Sequence, residues 1–180
     1  MSQTEVTQFG EFKLIDHLTE AFSIHHDSTK TSIGDDAAVV FHGDQDLLVS
    51  TDLMVEGIHF DLMYFPLKHL GYKAVVSNVS DICAMNGVAE QITVSIAMSN
   101  RFSVEALEEL YRGIKTACDI YKIDLIGGDT SSSQKGLIIS VTVLGRQKPE
   151  KIAYRSGAKP GDYIVAVSYT HLTLPTSDLV

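Results

Sequence analysis

Acidic residues recur in this chain beside glycine or small hydroxyl residues, at the edges of apolar strands or within a helix. The four places are Gly34-Asp35-Asp36, Ser50-Thr51-Asp52, Asn78-Val79-Ser80-Asp81 and Gly127-Gly128-Asp129-Thr130. Carboxylate and hydroxyl oxygens suit a hard cation such as Mg²⁺, which is usually held by a few carboxylates plus substrate phosphates, and do not suit zinc. The doublet Asp35-Asp36 sharpens the point, because burying an unpartnered carboxylate costs several kcal/mol in practice and adjacent like charges repel. Taken singly, each place reads equally well as a turn that uses aspartate and glycine for their local geometry. Taken together, strand ends and a helix that converge on one cleft would gather carboxylates whose repulsion a metal ion must offset.

Other residues could serve an anionic substrate. His59, in MVEGIHF, is a possible hydrogen-bond donor to an anionic group, with a loop histidine of no role as the alternative. Glu56 beside it is read as solvated. Arg155, in YRSGAKPGD, is a possible phosphate clamp, since guanidinium matches phosphate oxygens in a bidentate way; a surface arginine is the competing reading. Tyr111 falls on a helix, where an aromatic residue is more often core than cofactor contact. No GxxxxGK[ST], GxSxG or HExxH motif is present, which excludes the common phosphate-loop, serine-hydrolase and zincin patterns. Cys83 and Cys118 stand without CxxC spacing or nearby histidines and are read as core residues.

The elements that must position these residues follow from periodicity. Phe12, Leu14, Ile15, Leu18 and Phe22 define a short amphipathic helix between Phe9 and Phe22. Ala37 to Phe41 and Leu47 to Thr51 form a β-hairpin across the turn composition His42 to Asp46. Pro66 opens a helix whose stripe Leu67, Leu70, Ala74, Val75, Val79, Ile82 and Met85 ends near Gly87. Ser103 caps a second long helix that reaches Tyr121. Strands are expected over Ile92 to Met98, Leu137 to Leu144 and Tyr163 to Val167. The order predicts an α/β fold, a mixed β-sheet with helices packed on one face. Residues 1–167 form one domain, whereas residues 168–180, SYTHLTLPTSDLV, change character abruptly and are expected to be a non-native tail outside the fold.

The chain has 180 residues, 44% of them hydrophobic and 21% charged, the composition of a folded globular domain. A formal net charge of -9 argues against unaided binding to nucleic acid or an anionic membrane, so a phosphate ligand would need metal ions between it and the protein. No apolar run approaches a membrane span and no signal-peptide pattern opens the chain, which points to the cytoplasm.

The ordered segments IGDDAAVV, VSTDLMVEGIHF, YKAVVSNVSDICAMNGVAE, LIGGDTSSS and RSGAKPGD resemble those of the thiamine-monophosphate kinases, within the aminoimidazole-ribonucleotide-synthetase-like ATP-using superfamily. The resemblance spans about residues 9 to 167. It implies the N-terminal domain of that fold, its sheet pairing with that of a second subunit in a homodimer, with ATP near the subunit boundary. It also implies transfer of phosphate from ATP to thiamine monophosphate, with magnesium, to give thiamine diphosphate. Carried over residue by residue, Asp36, Ser50, Thr51, Asp52, Asp81 and Asp129 correspond to magnesium ligands. His59 corresponds to a substrate contact, and Tyr111, Gly128, Asp129 and Arg155 to the ATP site. Asp35 is not carried over as a ligand and is read as orienting its loop. No protein nucleophile or general base is assigned. The family continues past GDYIVAV into a C-terminal domain, expected to be absent here. That leaves as alternatives an incomplete Mg-ATP-binding or dimerisation module, and a related enzyme such as aminoimidazole ribonucleotide synthetase or a hydrogenase-maturation protein.

Overall fold

A computed structural model describes residues 10–165. Its elements in chain order are α1 (Glu11–Thr19), β1 (Thr29–Thr31), β2 (Ala38–Val40), β3 (Asp46–Val55), α2 (Leu67–Ala84), β4 (Val88–Met98), α3 (Val104–Tyr121), β5 (Asp124–Ser132) and β6 (Leu137–Gln147). The six strands make one mixed sheet in the order β1-β2-β3-β6-β4-β5. β6 is central and antiparallel to both neighbours, from Asp46↔Gln147 to Val55↔Ile138 on one side and from Val88↔Arg146 to Met98↔Leu137 on the other. β5 is parallel to β4, as a crossover through α3 requires.

Alternation decides which face is covered. Leu48, Ile92, Val94, Ile96, Ile139, Val141 and Val143 turn to one side and are buried there with Leu70, Ala74, Val75, Ile82 and Met85 of α2 and Leu110, Ile114 and Ala117 of α3. Each large side chain so buried stabilises the fold by roughly 1.5–3 kcal/mol. The other face carries neither long helix. In-register rows there run Thr51, Thr142, Thr93 and Leu53, Ser140, Ser95, and Leu53 is 54% exposed.

The two long helices cross at a pair of glycines. A Cβ on Gly71 would stand 2.0 Å from the Leu110 carbonyl oxygen, and one on Gly113 would stand 1.9 Å from that of Lys68. Backbone therefore meets backbone, and no larger residue fits. The helix ends match the sequence reading: Pro66 precedes α2, and the Ser103 hydroxyl accepts from the Ala106 N–H at 3.3 Å.

Four expectations are corrected. Cys83 is exposed, because it lies next to buried Ile82 and so points about 100° round the helix from the core face; Cys118 is half-buried. Glu56 is not solvated: its carboxylate accepts from the Leu137 N–H at 2.8 Å and pairs with Arg101. Of the strand expected over Tyr163 to Val167, the described part, Tyr163 to Val165, is not a strand, and Tyr163 and Ile164 are almost fully exposed; residues 166 and 167 lie outside the described residues. α1 is shorter than read, and its apolar stripe is largely uncovered, with Phe12 at 70% and Leu18 at 62% exposure. The proposed tail, residues 168–180, lies outside the described residues.

Candidate functional site

β2 pairs with β3 only as far as Ala38↔Val49. Beyond that point the chain through Ala37, Asp36 and Asp35 leaves the sheet, with Gly34 at φ 121°, a value that favours glycine. The departure opens a cleft of about 600 Å³ at the end of β2, lined by Asp35, Asp36, Ser50, Thr51, Asp52, Asp81 and Arg155 and bordered by Phe12, Ile15 and Asp16 of α1. Ser50 and Asp52 share the face of β3 that meets α2. The Ser50 hydroxyl donates to Asp81 Oδ2 at 2.7 Å, and the Asp52 N–H donates to Asn78 Oδ1 at 3.0 Å.

Arg155 is the cation on the acidic doublet. Its Nε donates to Asp36 Oδ1 at 3.1 Å, and Nη2 donates to the same oxygen. Its main-chain N–H faces the Asp35 carboxylate, 3.2 Å from Oδ2, while Asp35 Oδ1 also accepts from the Asp36 N–H at 2.9 Å. Asp35 thus ties the short helix Arg155–Gly157 to the loop, the orienting role expected of it. Burial pushes the Asp81 carboxyl above its ordinary range. Asp52 and Asp36 push it the same way, against the Ser50 hydrogen bond and the Arg155 charge. Negative charge is in excess here.

Tyr111, Gly128 and Asp129 lie elsewhere. They line a second cavity of about 600 Å³ at the β5 edge, with Val94, Leu125, Gly127 and Thr130. It adjoins an apolar groove of about 570 Å³ that shares Tyr111 and Leu125 and reaches Cys118. Burial pushes the Cys118 thiol up, so it is no activated thiolate. β5 approaches β4 so closely that a Cβ on Gly128 would stand 1.8 Å from the Val94 carbonyl oxygen. Two strands separate β3 from β5, so the cleft and this cavity are roughly 14 Å apart across the sheet. The expected gathering of Asp129 with Asp36, Asp52 and Asp81 therefore does not occur within one chain, because the parallel crossover carries β5 to the far edge.

His59 is exposed on the loop after β3, where its Nδ1 accepts from the Val55 N–H at 3.0 Å. That bond leaves the ring hydrogen on Nε2, a donor available to a substrate. Sequence reasoning missed the role of Asn78, which is 1% exposed, and the buried Asp46, whose carboxylate binds Lys30 Nζ at 2.7 Å. The first has no signal beyond its place three residues before Asp81.

Among the described residues, no group of three or more His, Cys, Asp or Glu side chains could cage an ion unaided. Mg²⁺ needs no such cage: it keeps several waters and takes one or two carboxylates plus substrate phosphates. The all-oxygen donor set of the cleft fits such an ion. No described helix is long and apolar enough to cross a membrane.

Residues 34–147 match the family of the AIR synthase related protein, N-terminal domain, and the chain belongs to that family. Among its relatives are enzymes named thiamine-monophosphate kinase. That of Bacillus subtilis (strain 168) is 40% identical over 156 residues, 86% of this chain and 47% of the relative. That of Aquifex aeolicus (strain VF5) is 36% identical over 157 residues, 87% of this chain and 48% of the relative. The chain thus spans about half the length of the curated relatives it matches. A solved structure described as AaThiL complexed with AMPPCP and TMP aligns with a TM-score of 0.77 at 32% identity, covering 88% of this chain and 48% of that one. The likeness to a HypE-HypF complex, at 18% identity and a TM-score of 0.56, shows the shared fold alone.

Proposed function

We propose that this chain provides the cation-binding and ATP-binding part of a thiamine-monophosphate kinase. In the reaction an oxygen of the thiamine monophosphate phosphate attacks the γ-phosphorus of ATP in line. The bond from that phosphorus to the β-γ bridging oxygen breaks, giving ADP and thiamine diphosphate. The observation that carries this reading is the cleft in which Asp36, Ser50, Asp52 and Asp81 turn side-chain oxygens toward one space beside Arg155, while the hydroxyl of Thr51, between Ser50 and Asp52, bonds Val141 and Thr142 on the other face of the sheet. Its support is the 40% identity to a kinase of that name over most of this chain.

Phosphoryl transfer between two anions depends on positioning and charge neutralisation more than on covalent chemistry. A bound magnesium ion would supply that charge neutralisation. Asp36, Ser50, Asp52 and Asp81 would hold it through side-chain oxygens, and Thr51, whose hydroxyl is bonded on the other face, only through its main-chain carbonyl. The acceptor phosphate is largely ionised at neutral pH, so no strong general base is required. His59 would offer its Nε2–H to the acceptor, and Arg155, which pairs with Asp36, would exchange that carboxylate for a phosphate. Tyr111, Gly128 and Asp129 belong to the ATP site at the other sheet edge, with Asp129 as a further cation ligand. A homodimer joined through the uncovered sheet face would bring the β5 edge of one copy toward the cleft of the next. The compartment proposed is the cytoplasm.

A second reading is favoured by one observation, the half-length match to the relatives: the 180-residue chain binds Mg-ATP and dimerises without turnover. Two measurements separate the readings. Calorimetry with ATP, with and without Mg²⁺, is expected to show metal-dependent binding that falls at least 100-fold in Asp81→Asn; metal-independent binding, or none, removes both. Formation of thiamine diphosphate by the wild-type chain then selects the enzyme, and its absence selects the binding module.

A further inference from the structure

We infer that Asn78 is a positioning residue for the cation site: it fixes the main chain of Asp52 against α2 and so sets the spacing between the Asp52 and Asp81 carboxylates. The inference rests on the reading of the cleft as a cation site. It begins with the ladder. β3 has β6 along one side throughout, but β2 accompanies it on the other only to Val49. On the vacated side the Asp52 N–H has no strand partner and is met by the Asn78 carboxamide, whose Oδ1 lies 3.0 Å away. The other end of that carboxamide donates from Nδ2 to the Ala74 carbonyl at 2.9 Å, one turn back on the same helix. Asn78 is 1% exposed, so the carboxamide is buried with both ends bonded.

One turn further along α2, Asp81 accepts from Ser50, two residues before Asp52 on β3. Residues two apart on a strand are separated by roughly 6.6 Å, and residues three apart on a helix face by about 5–6 Å. The two periods match closely enough for both bonds to form at once. Helix and strand are then pinned at two polar points, with the Asp52 carboxylate and the Asp81 carboxylate attached to them. An apolar residue at position 78 would pack there but would leave the Asp52 N–H unmet, free to rotate the strand end and its carboxylate. Asn78 itself touches no ligand in this scheme.

The test uses the 180-residue chain and Mn²⁺ alone as the probe, titrated calorimetrically at a temperature where every variant is folded by circular dichroism. Asn78→Ser should weaken Mn²⁺ binding about tenfold. Val79→Ala, which removes buried packing one residue away without touching either polar bond, should lower Tm yet keep the wild-type affinity within twofold. Hydrogen exchange followed by NMR should show the Asp52 amide protected in wild type and in Val79→Ala, and unprotected in Asn78→Ser. If Asn78→Ser lowers Tm but keeps the affinity within twofold, the residue only packs and the inference falls while the cation site stands. Asn78→Leu serves if the serine variant does not fold, with the same two outcomes. A wild-type chain that shows no saturable Mn²⁺ binding overturns the cation site and this inference together.

Discussion

Asp81 holds its charge in the cleft against its surroundings. It is driven toward the neutral form by burial and by Asp52 and Asp36. A carboxyl whose folded value is raised stabilises the fold below the ordinary aspartate value of about 3.9, and that contribution is lost as pH rises through the raised value. In the metal-free protein, Asp81→Asn is therefore expected to raise Tm above wild type at pH 7.5, with the gap closing as the pH falls toward 4. An asparagine still accepts the Ser50 hydrogen bond, so the comparison isolates the charge. Thermal unfolding followed across pH checks it, and a lower Tm for the variant at pH 7.5 would show that Arg155 and Ser50 outweigh the crowding. The variant that gains stability is also the one expected to lose Mg-ATP, because the strain of the crowded charge is what a divalent ion relieves.

At the scale of elements, the glycine crossing of α2 and α3 fixes how the helices sit on the sheet. Interaxial distances are usually 8–10 Å, set by side chains at the contact; here the carbonyls of Leu110 and Lys68 occupy the places where a Cβ would stand. Gly71→Ala is expected to destabilise the chain by about 3 kcal/mol, the upper end of ordinary overpacking, because backbone cannot yield as a side chain does. Urea denaturation would read this as a lower midpoint at unchanged slope. Much of this architecture was legible. The stripe of α2, the β2–β3 hairpin and the alternation of β4 carry their own period, since one face of each is buried, and the start of α3 is marked by its Ser103 cap. β5 was not legible as a strand, because Ile126-Gly127-Gly128-Asp129-Thr130-Ser131-Ser132 has the composition of a loop and is held extended by its ladder to β4. The acids of the cleft could be found from their glycine and hydroxyl neighbours. The separation of Asp129 from them could not, because it depends on strand order, and Asn78 could not, because a buried helix asparagine and a solvated one look alike in sequence.

For the whole molecule, the uncovered sheet face is the surface on which a homodimer is proposed. Thr51, Thr93, Thr142, Ser95 and Ser140 give it a hydroxyl-rich centre, and Leu53 stands out from it. Sedimentation equilibrium should give twice the chain mass of 19.7 kDa, and Leu53→Arg should return the mass to that of one chain, because a pair related by a two-fold axis would bring two guanidinium groups together. A wild-type chain that sediments as a monomer at tens of micromolar would remove the dimer. The placement of the Asp81 cleft and the Asp129 cavity at opposite edges of one sheet also has a genetic consequence. If each binding centre draws one edge from each copy, lesions at Asp81 and at Asp129 belong to different complementation groups within a single gene. Chains carrying Asp81→Asn and Asp129→Asn, inert apart, would after random reassociation regain roughly a quarter of the wild-type sites, since half the pairs are mixed and each mixed pair gathers both lesions into one centre and leaves the other whole.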